Sequence, residues 1–114
     1  MQKSKGGSVA KSFFAPEEDD IIEDRETGLR IIKDVIIVIF TPDTDEATIE
    51  KIIASVNGKI VGYNKAVNFY QVRFPGADLA TVDSIRLKLL SSFKEVEMTS
   101  RSPTSVHKNP FYVK

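Results

Sequence analysis

The sequence predicts an α+β sandwich in the order strand, helix, strand, strand, helix, strand. Three observations carry that prediction. Residues 33–40 (KDVIIVIF) end in six consecutive apolar side chains, too few to span a membrane and too β-branched to prefer a helix. Two later stretches, 44–57 and 78–93, repeat apolar residues at helical spacing behind an Asp or Thr. Between them, residues 68–74 (NFYQVRF) alternate cleanly with period two. This order within one domain is the split βαβ, or ferredoxin-like, arrangement. Two right-handed crossovers then place both helices on one face of a four-stranded antiparallel sheet, with the first and third strands central.

Residues 1–25 read as a flexible N-terminal tail. Lys3, Lys5 and Lys11 precede an acidic block of Glu17, Glu18, Asp19, Asp20, Glu23 and Asp24, and so polar a stretch does not order itself. Met1 to Ser12 has no apolar core, so no signal peptide is read there. Gly28 marks a turn, and the domain proper is expected over 26–100.

In the first strand, Ile36, Val38 and Phe40 form the core set, and Val35, Ile37 and Ile39 line the opposite, open face. Thr41-Pro42-Asp43 stops the strand. Asp43 or Thr44 is placed to cap the first helix, with Asp43 and Glu46 in capping-box spacing. Ile49, Ile52, Ile53 and Val56 make its apolar stripe, and Asn57-Gly58 ends it, the glycine suited to the left-handed position. Residues 59–63 (KIVGY) form a second strand, interrupted by Gly62 and therefore expected at an edge.

In the third strand Tyr70, Val72 and Phe74 face the core, with Phe69, Gln71 and Arg73 opposite. Pro75-Gly76 breaks it, and Asp78 caps a second helix striped by Leu79, Val82, Ile85 and Leu89, then Leu90 and Phe93. Residues 94–99 (KEVEMT) close the sheet, with Val96 and Met98 inward and Glu95 and Glu97 outward. Residues 101–114 hold two prolines and no periodicity, and read as an extended C-terminal tail.

Composition excludes several chemistries. Sixteen basic and sixteen acidic side chains cancel, so nothing draws the chain generally to nucleic acid or to an anionic membrane. Without cysteine there is no thiol nucleophile or thiolate metal site, and one histidine gives little material for an acid–base relay. The loop before the first helix, Asp43-Thr44-Asp45-Glu46, repels the phosphate that an acyl-phosphate hydrolase on this fold would cradle. An RNA-binding sheet needs stacked rings on both central strands, and Val35, Ile37 and Ile39 supply none opposite Phe69. A small-ligand regulatory domain needs glycine-rich loops at strand ends, hinted at only by Gly58 and Gly62. His107 has no partner in sequence, and Asp43/Asp45 and Glu95/Glu97 read as a helix start and a solvent-facing strand side. No catalytic activity, metal or cofactor is therefore expected.

An ordered set of short motifs remains: Pro42 to Thr44 at the helix start, Asn57-Gly58, Gly58 to Gly62 leading into the second strand, Tyr70 to Pro75, and Val96-Glu97 in the last. In this order, over about Lys33 to Thr99, the chain resembles the propeptide domains of subtilisin-like serine proteases. Asn109-Pro110-Phe111-Tyr112 is similar to the stretch that often opens the mature protease in such precursors. The resemblance implies an intramolecular chaperone and inhibitor of a subtilase, partnered in cis or in trans, in a secreted or cell-envelope setting. It implies that the open face (Val35, Ile37, Ile39, Phe69, Gln71 and Arg73) docks on the protease. The segment Met98, Thr99, Ser100 and Arg101 would lead into a tail lying in the substrate cleft, where an extended chain adds a strand. The alternative is a ferredoxin-like interaction domain that pairs with itself or another protein through the same apolar face.

Overall fold

A computed structural model describes residues 11–23 and 28–103. His107 and the Asn109 to Tyr112 stretch lie outside those residues, as do residues 1–10 of the N-terminal segment.

The described chain forms β1 (Lys11–Ser12), β2 (Ile21–Glu23), β3 (Arg30–Phe40), α1 (Glu46–Ser55), β4 (Lys59–Asn64), β5 (Phe69–Arg73), α2 (Leu79–Ser92) and β6 (Val96–Pro103). All pairings are antiparallel. β3 lies between β5 and β6, and β4 flanks β5, which is the expected ferredoxin-like order with the first and third core strands central. Two short strands extend it: β1 on β4, and β2 on the early part of β3. β4 is thus not an outermost strand over its whole length, as Gly62 had suggested. Lys11 and Ser12 pair with Asn64 and Tyr63.

The inner face carries the core. Ile36, Val38 and Phe40 of β3 and Tyr70, Val72 and Phe74 meet Ile49, Ile52 and Ile53 of α1 and Val82 and Leu89 of α2. The alternation and the helical stripes therefore select the buried set correctly, each large side chain contributing about 1.5–3 kcal/mol when fully buried. Leu90, read as widening the second stripe, is exposed, as is Leu87.

The caps differ in detail. The α1 cap is Asp45, whose carboxylate accepts from the Thr48 amide at 2.9 Å, rather than Asp43 or Thr44. Thr41 and Thr44 instead bond to each other's hydroxyls, and the Asn68 side-chain amide donates to the Thr41 carbonyl at 2.8 Å. That leaves the chain free to start the helix only after the clamp. At the other end of α1, Asn57 takes the left-handed conformation (φ 62°). Gly58 is needed for a different reason, close approach: a Cβ there would lie 2.5 Å from Val72 Cγ1.

β3 is irregular in a way that repositions its residues. Ile32 pairs with Ser102, yet Ile36 pairs with Arg101, the residue next to it on β6. Lys33, Asp34 and Val35 form the intervening bulge, and three extra residues change which parity faces inward. A second bulge at Glu97 resets β6, since Ile39 pairs with Met98 and Phe40 with Val96.

Two boundaries move. Residues 11–23, read as part of a solvated tail, pack on the sheet. Glu18 pairs with Arg30 and Asp20 with Arg73, and Phe13 and Phe14 need no core of their own because the sheet face provides ring and cation partners. β6 runs on to Pro103, so Arg101 to Pro103 belong to the sheet and not to a tail, and Ser102 is fully buried.

Candidate docking face of the sheet

Both helices lie on the inner face, so the outer face must be covered by something else or meet solvent. It divides into two ends. At one end residues 13–20 cross it as a strap between β1 and β2. The Phe14 amide donates to Gln71 Oε1 at 2.8 Å, and the Arg73 guanidinium lies over the Phe14 ring at 5.2 Å. Gln71 in turn donates to the Ser102 hydroxyl at 3.3 Å, across β3. Arg73 pairs with Asp20 of the strap at 3.0 Å and with buried Asp34 at 3.1 Å. These bonds to Asp34 and Asp20, the Asp34 contact first, raise the Arg73 pKa further above its ordinary value.

Ile31, Ile32 and Val35 are buried at this end, apart from the main core. Val35, expected to be open, does lie on the outer face, opposite Arg73, but is only 1% exposed at the end where the strap passes. Gln71, also expected on an open surface, is buried with its amide bonded at both ends.

The other end is left uncovered by the described residues. Register aligns Phe69, Ile39 and Met98 directly across β5, β3 and β6. Directly opposed residues share a face, so the three form one apolar stripe. Phe13 extends it, its ring edge-on to Phe69 with centroids 6.0 Å apart. Met98 and Phe13 are 47% and 55% exposed, and Ile37, Ile39 and Phe69 are half-buried. Met98 had been expected inward; the Glu97 bulge turns it out.

The remaining sequence candidates go elsewhere. Thr99 pairs with Val38 and is buried toward the inner face, and Arg101 reaches α2, binding Asp83 through Nη2 at 2.6 Å and Nε at 3.3 Å. That fork, with Arg86 beside it, lowers the Asp83 pKa. Ser100, opposite Ile37, stays half-buried on the outer face. Of the ten candidate residues, Ile37, Ile39, Phe69, Met98 and Ser100 share an accessible outer surface. Val35, Thr99 and Arg101 serve the fold, and Gln71 and Arg73 hold the strap. Phe13 was missed. The signal was its place in the lone bulky pair of an otherwise polar segment.

An apolar stripe of this kind has no nucleophile or paired acid and base of its own; what it can do is exclude water against a complementary surface. Among the described residues no His, Asp or Glu group is arranged to hold a metal ion, and no helix is long and apolar enough to cross a membrane. No family model, no curated protein and no solved structure matches the chain.

Proposed function

We propose that this chain is a propeptide-type domain that docks on a subtilisin-like serine protease, assists its folding and inhibits it. The observation that carries the reading is the open stripe of Phe69, Ile39 and Met98 on the helix-free face, beside an edge strand that leads straight into the C-terminal segment. The ordered motif resemblance supplies the identity of the partner. In this reading the stripe gives the affinity of docking, and residues beyond Pro103 enter the cleft as an added strand held by main-chain hydrogen bonds. In this reading the domain acts by binding the protease, through the stripe and the C-terminal segment. A self-pairing domain is the second reading, favoured by the unpaired outer edge of β6 among the described residues.

The test is a steady-state inhibition series against several subtilisin-like proteases, with three proteins. These are the full chain, the chain ending at Pro103, and full-length Ile39→Asp. Pro103 is the right end point because Arg101 and Ser102 bind Asp83 and Gln71. The full chain is expected to inhibit competitively. The shortened chain should remain folded and inhibit at least about tenfold more weakly, the equivalent of about 1.4 kcal/mol. Ile39→Asp should lose inhibition with an unchanged circular dichroism spectrum. No inhibition by the folded full chain would replace this function with the self-pairing one, which sedimentation would then check.

A further inference from the structure

The strap end of the outer face is constructed differently from the stripe. Gln71 is 6% exposed, and its amide is oriented by the fully buried Ser102 hydroxyl, which accepts from Nε2. Oε1 is thereby aimed at the strap, where it accepts the Phe14 backbone N–H. A backbone amide is a group that any peptide offers. Gly62, directly opposite Gln71, has no Cβ to obstruct this. A methyl group there would collide with Gln71 Oε1 and come within 3.0 Å of the Phe14 nitrogen. Arg73 presents its guanidinium to the Phe14 ring, and Asp34 would hold it in place without Asp20, because Asp34 is part of the sheet.

We propose that Gly62, Gln71, Ser102 and Arg73 form a binding site for an extended peptide segment bearing an aromatic side chain. Phe14 fills that site in cis, and a partner's segment of the same chemistry takes it when the strap lifts. Each element of recognition is separately supplied: a fixed acceptor for one main-chain N–H, a cation for one ring, and a gap where the backbone passes. The strap's own hold is divisible from the fold, since the inner core contains none of its residues. This site is independent of the protease reading, and its test contains no protease.

The experiment uses the isotopically labelled full chain carrying Phe14→Ala and Asp20→Asn, titrated with a synthetic peptide of residues 11–23 and followed by NMR. The expected result is saturable shifts at the Gly62 amide, the Gln71 side-chain amide and Arg73 Nε, with Val38 and Val72 unmoved. The unaltered chain should bind the same peptide about tenfold more weakly or less, because its own strap leaves only a fraction of molecules open. Adding Gly62→Ala to the loosened chain should abolish the shifts. No shifts in the folded loosened chain, equal binding by both chains, or an equal response to a scrambled peptide would each overturn the proposal. Should the loosened chain not fold, hydrogen exchange of the Phe14 amide in the unaltered chain decides. Exchange faster than that of Val38 and Val72 supports a separable strap, and exchange at their rate overturns it.

Discussion

The two faces of one sheet are closed by different physics. The inner face is closed by shape: aliphatic and aromatic side chains from β3, β5, α1 and α2 interdigitate, and no single contact dominates. The outer face is closed at one end by a few directional bonds, through Gln71, Ser102, Arg73, Asp34 and Asp20, and at the other end the described residues leave an apolar stripe open. A face closed by shape spreads its stabilisation over many residues and serves folding. A face closed by specific bonds depends on individual atoms, and leaves surface available for recognition.

The largest test of this contrast sets Ile36 against Ile39. Ile36→Asp buries a carboxylate with no partner, at a cost comparable with the roughly 5–15 kcal/mol that holds a domain together. Circular dichroism should show it unfolded. Ile39→Asp places the same group in the open stripe and should leave the spectrum native. A folded Ile36→Asp would show that the inner face is less committed than its packing indicates.

Gly62→Ala comes next. Its methyl group must displace the Gln71 amide or the strap, so urea denaturation should show a loss of about 1–3 kcal/mol, the range for overfilled sites. The Phe14 amide should exchange faster while core amides keep their order.

Asp83→Asn tests the tie between α2 and β6. Losing the charged fork to Arg101 should cost about 1–2 kcal/mol near neutral pH. Because the folded-state pKa of Asp83 is depressed, its contribution is present above the ordinary carboxylate range and falls away as pH drops through the folded value. The difference between the variant and the parent should therefore shrink in acid. A constant difference from neutral to acid would refute the ion-pair account. The smallest expected effect is that of Met98→Ser, within about 0.5 kcal/mol in stability, with its consequence confined to partner affinity.

The inner face was legible in the sequence because its two periodicities are nearly unbroken: 36, 38, 40 and 70, 72, 74 alternate, and 49, 52, 53 recur at helical spacing. The outer face was legible only in part. Period-two reading assumes an uninterrupted strand, and bulges at Lys33 to Val35 and at Glu97 break that assumption without a glycine or proline to announce it. Hence alternation points Met98 inward, whereas it places Val35 on the correct face and misses only its burial at the strap end. The strap was misread because composition judges a segment by what it can bury alone. Phe13, Phe14 and Asp20 order themselves against a surface made by residues 62–73, far away in the chain. Gln71 and Ser102 could not be paired by any local rule, since β3 lies between their strands.

The central strand has one more consequence, and it concerns speed. β3 is the partner of β2, β5 and β6, while local pairing is restricted to the short hairpin of β4 and β5 and to β2. Val38 must find Tyr70, and Ile36 must find Arg101 across more than half of the chain. Long loops have to close before these contacts are gained, which makes the domain a slower folder than a helical bundle. The bulge sharpens this, because a β6 strand arriving one residue out of step turns its side chains to the wrong face and must leave again. Search time, more than final stability, is thus written into this one strand.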